Sequence, residues 1–218
     1  MVFADPLAML TILNARKAYN NAVVLHIPFL ELDEGIYWVK GRNGSGKTTM
    51  LRMIAGLTPF QGDILLEGIS QRNSGRLYRG NVSLAEAEPA YPSFLTGSEL
   101  VAFYCKIRKA SPGDRDELLT LFGIREYMSS RVGQYSDGML KRLSLVLAFI
   151  GRVSLIVLDE PLATLDAEVA ELLPRLIRKY RQELGVSFIF SSHLSLASGG
   201  LPIAGSLEVE DRTARYAV

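Results

Sequence analysis

The segment "GIYWVKGRNGSGKTTMLRMIAGL", residues 35–57, restricts the fold of this chain more than any other. An apolar run of strand character meets three glycines, Gly41, Gly44 and Gly46, and helical spacing begins at Lys47. Gly56 marks the end of that helix. Residues 41–48, Gly41-Arg42-Asn43-Gly44-Ser45-Gly46-Lys47-Thr48, satisfy the pattern G-x-x-x-x-G-K-[ST] in full. Glycines let backbone N–H groups wrap a phosphate with no Cβ in the way. The helix that follows directs its positive end at the same anion. Lys47 then reaches the terminal phosphates and the Thr48 hydroxyl ligates Mg²⁺, with Thr49 beside it in the same first turn.

A strand–loop–helix unit of this kind belongs in an α/β fold, and the remaining elements agree. "MLTILNARKAY" and "AVVLHIPFLEL" alternate like strands and end in a turn at "DEG"; "GDILLEGISQ" reads as a further strand and turn. From about Pro92 the chain turns helical, with "TGSELVAFYCKIRKA", "GDRDELLTLFGI" and "REYMSSRVGQ" predicted as helices separated by Ser111-Pro112-Gly113-Asp114. The α/β pattern returns in "GMLKRLSLVLAFIG" (helix), "VSLIVLDEP" (strand), "AEVAELLPRLIRKYRQEL" (helix) and "VSFIFSSH" (strand). Pro174 is expected to start a new helix or kink the long one. Continuous apolar strands between helices predict a mixed or parallel sheet covered on both faces. A short strand at "GSLEVE" is expected to close the chain, leaving little room for an added sensor.

Composition narrows the function. With 218 residues and 48% apolar content the chain can bury a core of its own. Its 24 basic and 23 acidic residues argue against a nucleic-acid surface, so no nucleic-acid partner is expected. The single cysteine, Cys105, excludes an internal disulfide, reads as a helix residue near a core, and fits a reducing cytoplasm. The N-terminal residues lack the basic start of a signal peptide. The longest apolar runs, "LSLVLAFI" and "SLIVL", are far below a membrane span. If the protein works at a membrane, something else is expected to span it.

A phosphate cradle needs a metal carboxylate. "SLIVLDE" offers Asp159 at the C-terminal end of an apolar strand, where ligands gather in open α/β sheets. Asp159 would hold Mg²⁺, and Glu160 beside it would polarise an attacking water. Together these residues point to an ATP or GTP hydrolase.

The sequence resembles, over nearly its whole length, the ATP-binding subunits of ABC (ATP-binding cassette) transporters. "YSDGMLKR", residues 135–142, looks like the family's signature loop, usually written LSGGQ, with Asp137 and Met139 standing where glycine and glutamine are usual. The resemblance implies a P-loop core with an N-terminal antiparallel β portion, all in one ABC ATPase domain over residues 1–218. It also implies an inserted helical subdomain at about residues 92–142 that carries the signature. In the family the signature loop of one subunit caps the γ-phosphate held by another, which assigns Ser136 and Gly138 to the partner's nucleotide. Asp166 in "ATLD" matches the loop through which subunits touch. His193 in "SSH" matches the switch histidine at the γ-phosphate, and Tyr19 matches the aromatic stacked on adenine, favouring ATP over GTP. The metal-contacting glutamine falls in "SLAEAEPAYPSFLTG", where Glu86 is the assigned position and Glu88 the alternative.

The resemblance further implies a homodimer, or a dimer with a similar cassette, that closes on two ATP and drives a separate membrane-spanning subunit from the cytoplasmic face. The short build and the "YP…LTG…E" wording look more like export systems than solute importers. Tyr91, Phe94 and Leu95 either receive a short helix of the membrane subunit or pack within their own subdomain. A soluble ABC ATPase that remodels a macromolecular complex is the alternative from another class. A cassette that binds ATP without turnover is a third.

Overall fold

The computed structural model describes residues 8–20, 22–192 and 200–217. Along the chain, strands β1 (Leu10–Tyr19) and β2 (Ala22–Leu32) form an antiparallel pair, followed by β3 (Ile36–Lys40) and helix α1 (Lys47–Ile54). Next come β4 (Gln61–Leu66), β5 (Ile69–Ser70), α2 (Gly75–Gly80) and β6 (Val82–Ala85). The helices α3 (Gly97–Arg108) and α4 (Pro112–Leu121) precede α5 (Asp137–Phe149). The chain then runs through β7 (Leu155–Asp159), α6 (Ala167–Leu184), β8 (Ser187–Ser191), β9 (Gly205–Glu210) and β10 (Thr213–Ala217). Among the described residues no helix is long and apolar enough to cross a membrane.

Two sheets result. The antiparallel one has the order β2-β1-β4-β5, and the larger has the order β10-β9-β3-β8-β7-β6. In the larger sheet β9, β3, β8, β7 and β6 run parallel, and only the β9–β10 hairpin is antiparallel. Every residue of β7 and β8 is buried, which is why both read as unbroken apolar runs. Their side chains still alternate. Leu155, Val157 and Ile189 enter a core shared with α1 and the antiparallel sheet. Ile156, Leu158, Phe188 and Phe190 enter the core made with α3, α4, α5 and α6. The loops at the C-terminal ends of β3 and β7 therefore project from one edge of the sheet, between the two layers.

Two local expectations are changed by the structure, and three short elements are new. "REYMSSRVGQ" forms two 3₁₀ turns, Arg125–Tyr127 and Val132–Gln134, in place of a helix. The carbonyls of Met128 and Ser130 accept from Ser98 and Gly97, so tertiary partners take the groups that an α-helix would use. The helix α6 continues through Pro174 as one element. A proline inside a helix costs about 3 kcal/mol. Burying Val169, Leu173, Leu176 and Ile177 on one face contributes roughly 6 to 12 kcal/mol, enough to hold the element together. Finally, α2, β6 and β10 are not predicted by the sequence pattern, since a six-residue helix and strands of four and five residues carry little periodicity.

Candidate functional site

The phosphate-binding segment sits between β3 and α1 as its pattern requires. Gly41, Gly44 and Gly46 have φ of 151°, 77° and 110°. At Gly41 the space is also closed, because a Cβ there would strike the Val209 carbonyl oxygen and Ser45 Oγ. Gly46 caps α1, so the amides of Lys47, Thr48 and Thr49 are those a helix leaves without intrahelical partners. Lys47 Nζ folds back to donate to the carbonyls of Gly41 and Arg42, at 2.8 and 3.1 Å. Ser45 Oγ is buried and has no hydrogen-bond partner, as expected of a hydroxyl arranged toward a ligand.

A cleft of about 300 Å³ opens on this loop. Asn43, Gly44, Gly46, Lys47, Thr48 and Thr49 line one side, Asp159 and Glu160 the other, and Val24 of β2 closes an edge. Thr48 Oγ1 donates to Asp159 Oδ2 at 2.7 Å across 111 residues of sequence. Asp159 is 2% exposed, and its second oxygen accepts from Ser191 Oγ at 2.6 Å. Ser191 also accepts the Glu160 amide, at 3.0 Å to its hydroxyl and 3.2 Å to its carbonyl. Glu160 has φ 43°, a left-handed turn that costs a non-glycine residue about 1 kcal/mol and brings it to the cleft wall right after the strand.

The residues present fit a nucleotide triphosphate with Mg²⁺. Hard oxygen donors, the Thr48 hydroxyl and the Asp159 carboxylate, are already in contact, and phosphate oxygens and water commonly complete such a shell. Among the described residues no three His, Cys, Asp or Glu side chains are grouped to hold a metal by themselves.

Glu86 is not in this cleft. Its carboxylate, expected at the metal, pairs here with Arg52 in the last turn of α1, at 2.7 and 2.8 Å. The arginine supplies a fixed partner that a side chain in a solvated loop would lack. The alternative, Glu88, is exposed. Tyr19 lies at the end of β1, half exposed, with Lys17 Nζ 4.5 Å above its ring, and does not line the cleft. His193 lies outside the described residues.

Ser136 and Gly138 are placed elsewhere. Ser136 is exposed and caps α5, accepting from the Met139 amide at 3.3 Å. Asp137 is exposed in the first turn, where a carboxylate favours the helix end. Gly138 faces the 160–166 loop, its hypothetical Cβ 3.3 Å from the Thr164 carbonyl. Asp166 caps α6 through the Val169 amide at 3.1 Å and pairs with Arg142 of α5, so it is engaged within its own chain. Of the three aromatic and apolar residues preceding α3, Tyr91 and Leu95 pack on the core while Phe94 is 71% exposed. Cys105 is half-buried, and burial raises its thiol pKa.

Two residues with direct contacts to the site were not anticipated. Ser191 orients Asp159 and Glu160 together, and its signal was only its place at the end of an apolar strand. Lys141 is 1% exposed, its ammonium donating to the carbonyls of Glu86, Asp159 and Ala87. Burial pushes it down to about 8 despite the opposing pull of Asp159, Glu160 and Glu86. It lies within the segment "YSDGMLKR", but nothing in that pattern shows that its side chain reaches the strand end.

Residues 30–163 match the family model for the ABC transporter family. The spermidine/putrescine import ATP-binding protein PotA of Fusobacterium nucleatum is 31% identical over 190 residues, covering 84% of this chain and 50% of that protein. The chain thus spans about half the length of the curated relatives it matches. An ATP-binding subunit of an ABC transporter has the same fold, with TM-score 0.85 at 21% identity over 96% of this chain and 90% of that one. So does a dimeric ATP-binding cassette in a post-hydrolysis state with ADP and Pi bound, with TM-score 0.80 at 18% identity, over 96% and 98%. PotA proteins of Fusobacterium nucleatum and Bacillus cereus are named import proteins, and the expectation of export finds no support in them. With the phosphate cradle, the acid-ended strand and the family match in agreement, the chain belongs to the ABC transporter family as an ATP-binding cassette.

Proposed function

We propose that this chain binds and hydrolyses ATP, as a cassette that dimerises around two nucleotides and drives a separate membrane-spanning subunit at the cytoplasmic face of a membrane. The observation that carries the reading is the 2.7 Å contact between Thr48 and Asp159, which brings the phosphate loop and the acid-ended strand into one cleft. In that cleft the α1 amides and Lys47 bind the phosphates, with Lys47 leaving its two loop carbonyls to do so. Mg²⁺, held by Thr48 and Asp159, would neutralise charge on the phosphate oxygens. Glu160, set at the cleft wall by its turn and by Ser191, orients and deprotonates the attacking water.

The dimer is supported by what the cleft lacks. Its walls come from the phosphate loop, β2 and the end of β7, while Ser136 and Gly138 lie elsewhere on the surface of their own chain. In the dimer they cap the nucleotide of a second cassette, with Asp166 at the contact between subunits, Tyr19 on adenine and His193 at the γ-phosphate. The chain is one ATPase unit over 1–218 with helices α3 and α4 and the signature inside an inserted portion at about 92–142. Docking of the membrane subunit near Phe94 is supported by the exposure of that ring, joined on α3 by Phe103 and Ile107, each 58% exposed.

Phosphate release by the purified chain with ATP and Mg²⁺ tests the central claim. Turnover that Glu160→Gln abolishes while ATP still binds supports it. Binding without any turnover in the unaltered protein would leave a nucleotide switch in place of an ATPase. Recovery of a polytopic membrane protein with tagged Glu160→Gln protein and ATP tests the partner, and recovery of soluble complexes alone would overturn it.

A further inference from the structure

We propose that Lys141 is a positioning residue that fixes the loop after β6 against the end of β7, and so sets the place of Asp159 in the metal site. This rests on the reading of Asp159 as the carboxylate that meets Mg²⁺.

The side chain leaves α5 five residues after the Ser136 cap and crosses to two other segments. Its Nζ donates to Glu86 O at 2.7 Å, Asp159 O at 2.9 Å and, at 3.4 Å, Ala87 O. An ammonium carries three protons and accepts nothing, so the number of donors matches these three carbonyls. All three acceptors are backbone oxygens, and the contact therefore fixes main chain, while Arg52 and Ser191 separately hold the side chains of Glu86 and Asp159.

Stability alone is a poor reason for this arrangement. Burying an ammonium is unfavourable, and a methionine of similar length would fill the volume without that cost. What a methionine cannot do is hold three carbonyls from two segments at fixed spacing. The same helix begins with the signature residues, so Lys141 ties the position of α5 to the strand end that carries Asp159 and Glu160.

The test compares wild type with Lys141→Met in two measurements, binding of a fluorescent ATP analogue with and without Mg²⁺ and steady-state phosphate release. Without Mg²⁺ the variant binds the analogue as wild type does, because the phosphate loop is untouched. The Mg²⁺ concentration that half-saturates the binding enhancement rises about tenfold, the loss usual when a group supporting a metal ligand is removed. The kcat falls by at least as much, with little change in KM for ATP. A mere loss of folded protein would lower the active fraction and leave the Mg²⁺ requirement where it was. If Lys141→Met does not fold, Lys141→Gln keeps two donors on a shorter stem and shows the same split at about a third of its size. An unaltered Mg²⁺ requirement in whichever variant folds overturns the inference. A wild-type chain that binds no ATP overturns the functional reading, and this inference with it.

Discussion

The phosphate cleft and the signature region lie on one chain, yet they differ in how complete they are. In the cleft the acidic and hydroxyl side chains form one chain of contacts, with Thr48 on Asp159, Asp159 on Ser191 and Ser191 on the Glu160 amide. At the signature Ser136 caps its own helix, Asp137 is exposed, and Gly138 faces only the Thr164 carbonyl. The first region is a cleft built from segments of one chain. The second is a helix start capped by its own Ser136, with Asp137 in its first turn. A chain that builds half of a site so completely and leaves the other half on its surface is consistent with assembly from two copies.

Substitutions separate the two regions. The largest effect is expected at Glu160→Gln, which keeps the turn and the Ser191 contacts but removes the carboxylate. Phosphate release falls by about a hundredfold or more, within the range that one general base contributes, with ATP affinity kept and a dimer recovered by size-exclusion chromatography with ATP. Wild-type turnover would remove Glu160 from its role. Next is Lys47→Ala, which strikes the cleft alone. Analogue binding to the isolated chain weakens by at least tenfold, since a charge-assisted phosphate contact contributes about 1.5–3 kcal/mol.

Ser136→Ala is the complementary probe. Hydrolysis falls by about tenfold, in the range of one lost hydrogen-bond donor, while nucleotide affinity of the isolated chain is unaltered. Equal loss of binding and turnover would show that the signature serves its own chain's cleft and would end the contrast. The smallest effect belongs to Asp166→Ala. It removes the α6 cap and the contact with Arg142, and thermal unfolding should show a loss of about 1 kcal/mol. A much larger loss would mean that the 160–166 loop organises the fold and not merely its surface.

The legible part of this chain is the part with short-range causes. The order of strand, glycine loop and helix follows from residues 35–57 because positive φ, helix start and apolar strand are all set within a few residues. β7 with Asp159 at its end and β8 follow from apolar runs that only a sheet covered on both faces explains. Helical spacing in "REYMSSRVGQ" misled, since carbonyls there are claimed by the start of α3, and no new helix starts at Pro174 because a buried face outweighs one missing hydrogen bond.

Sequence alone thus determined the glycine loop between β3 and α1, the acid-ended strand β7 and the family, each a local pattern or a sum of such patterns. Only tertiary structure decided that Glu86 turns to Arg52, that Ser191 joins Asp159 to Glu160, and that Lys141 reaches three carbonyls. Those partners lie 34, 31, 32 and up to 55 residues apart in the chain. Nothing in the spacing of a serine or a lysine encodes such a meeting, because it is the sheet order and the packing of α5 on the sheet that bring the groups within hydrogen-bond range.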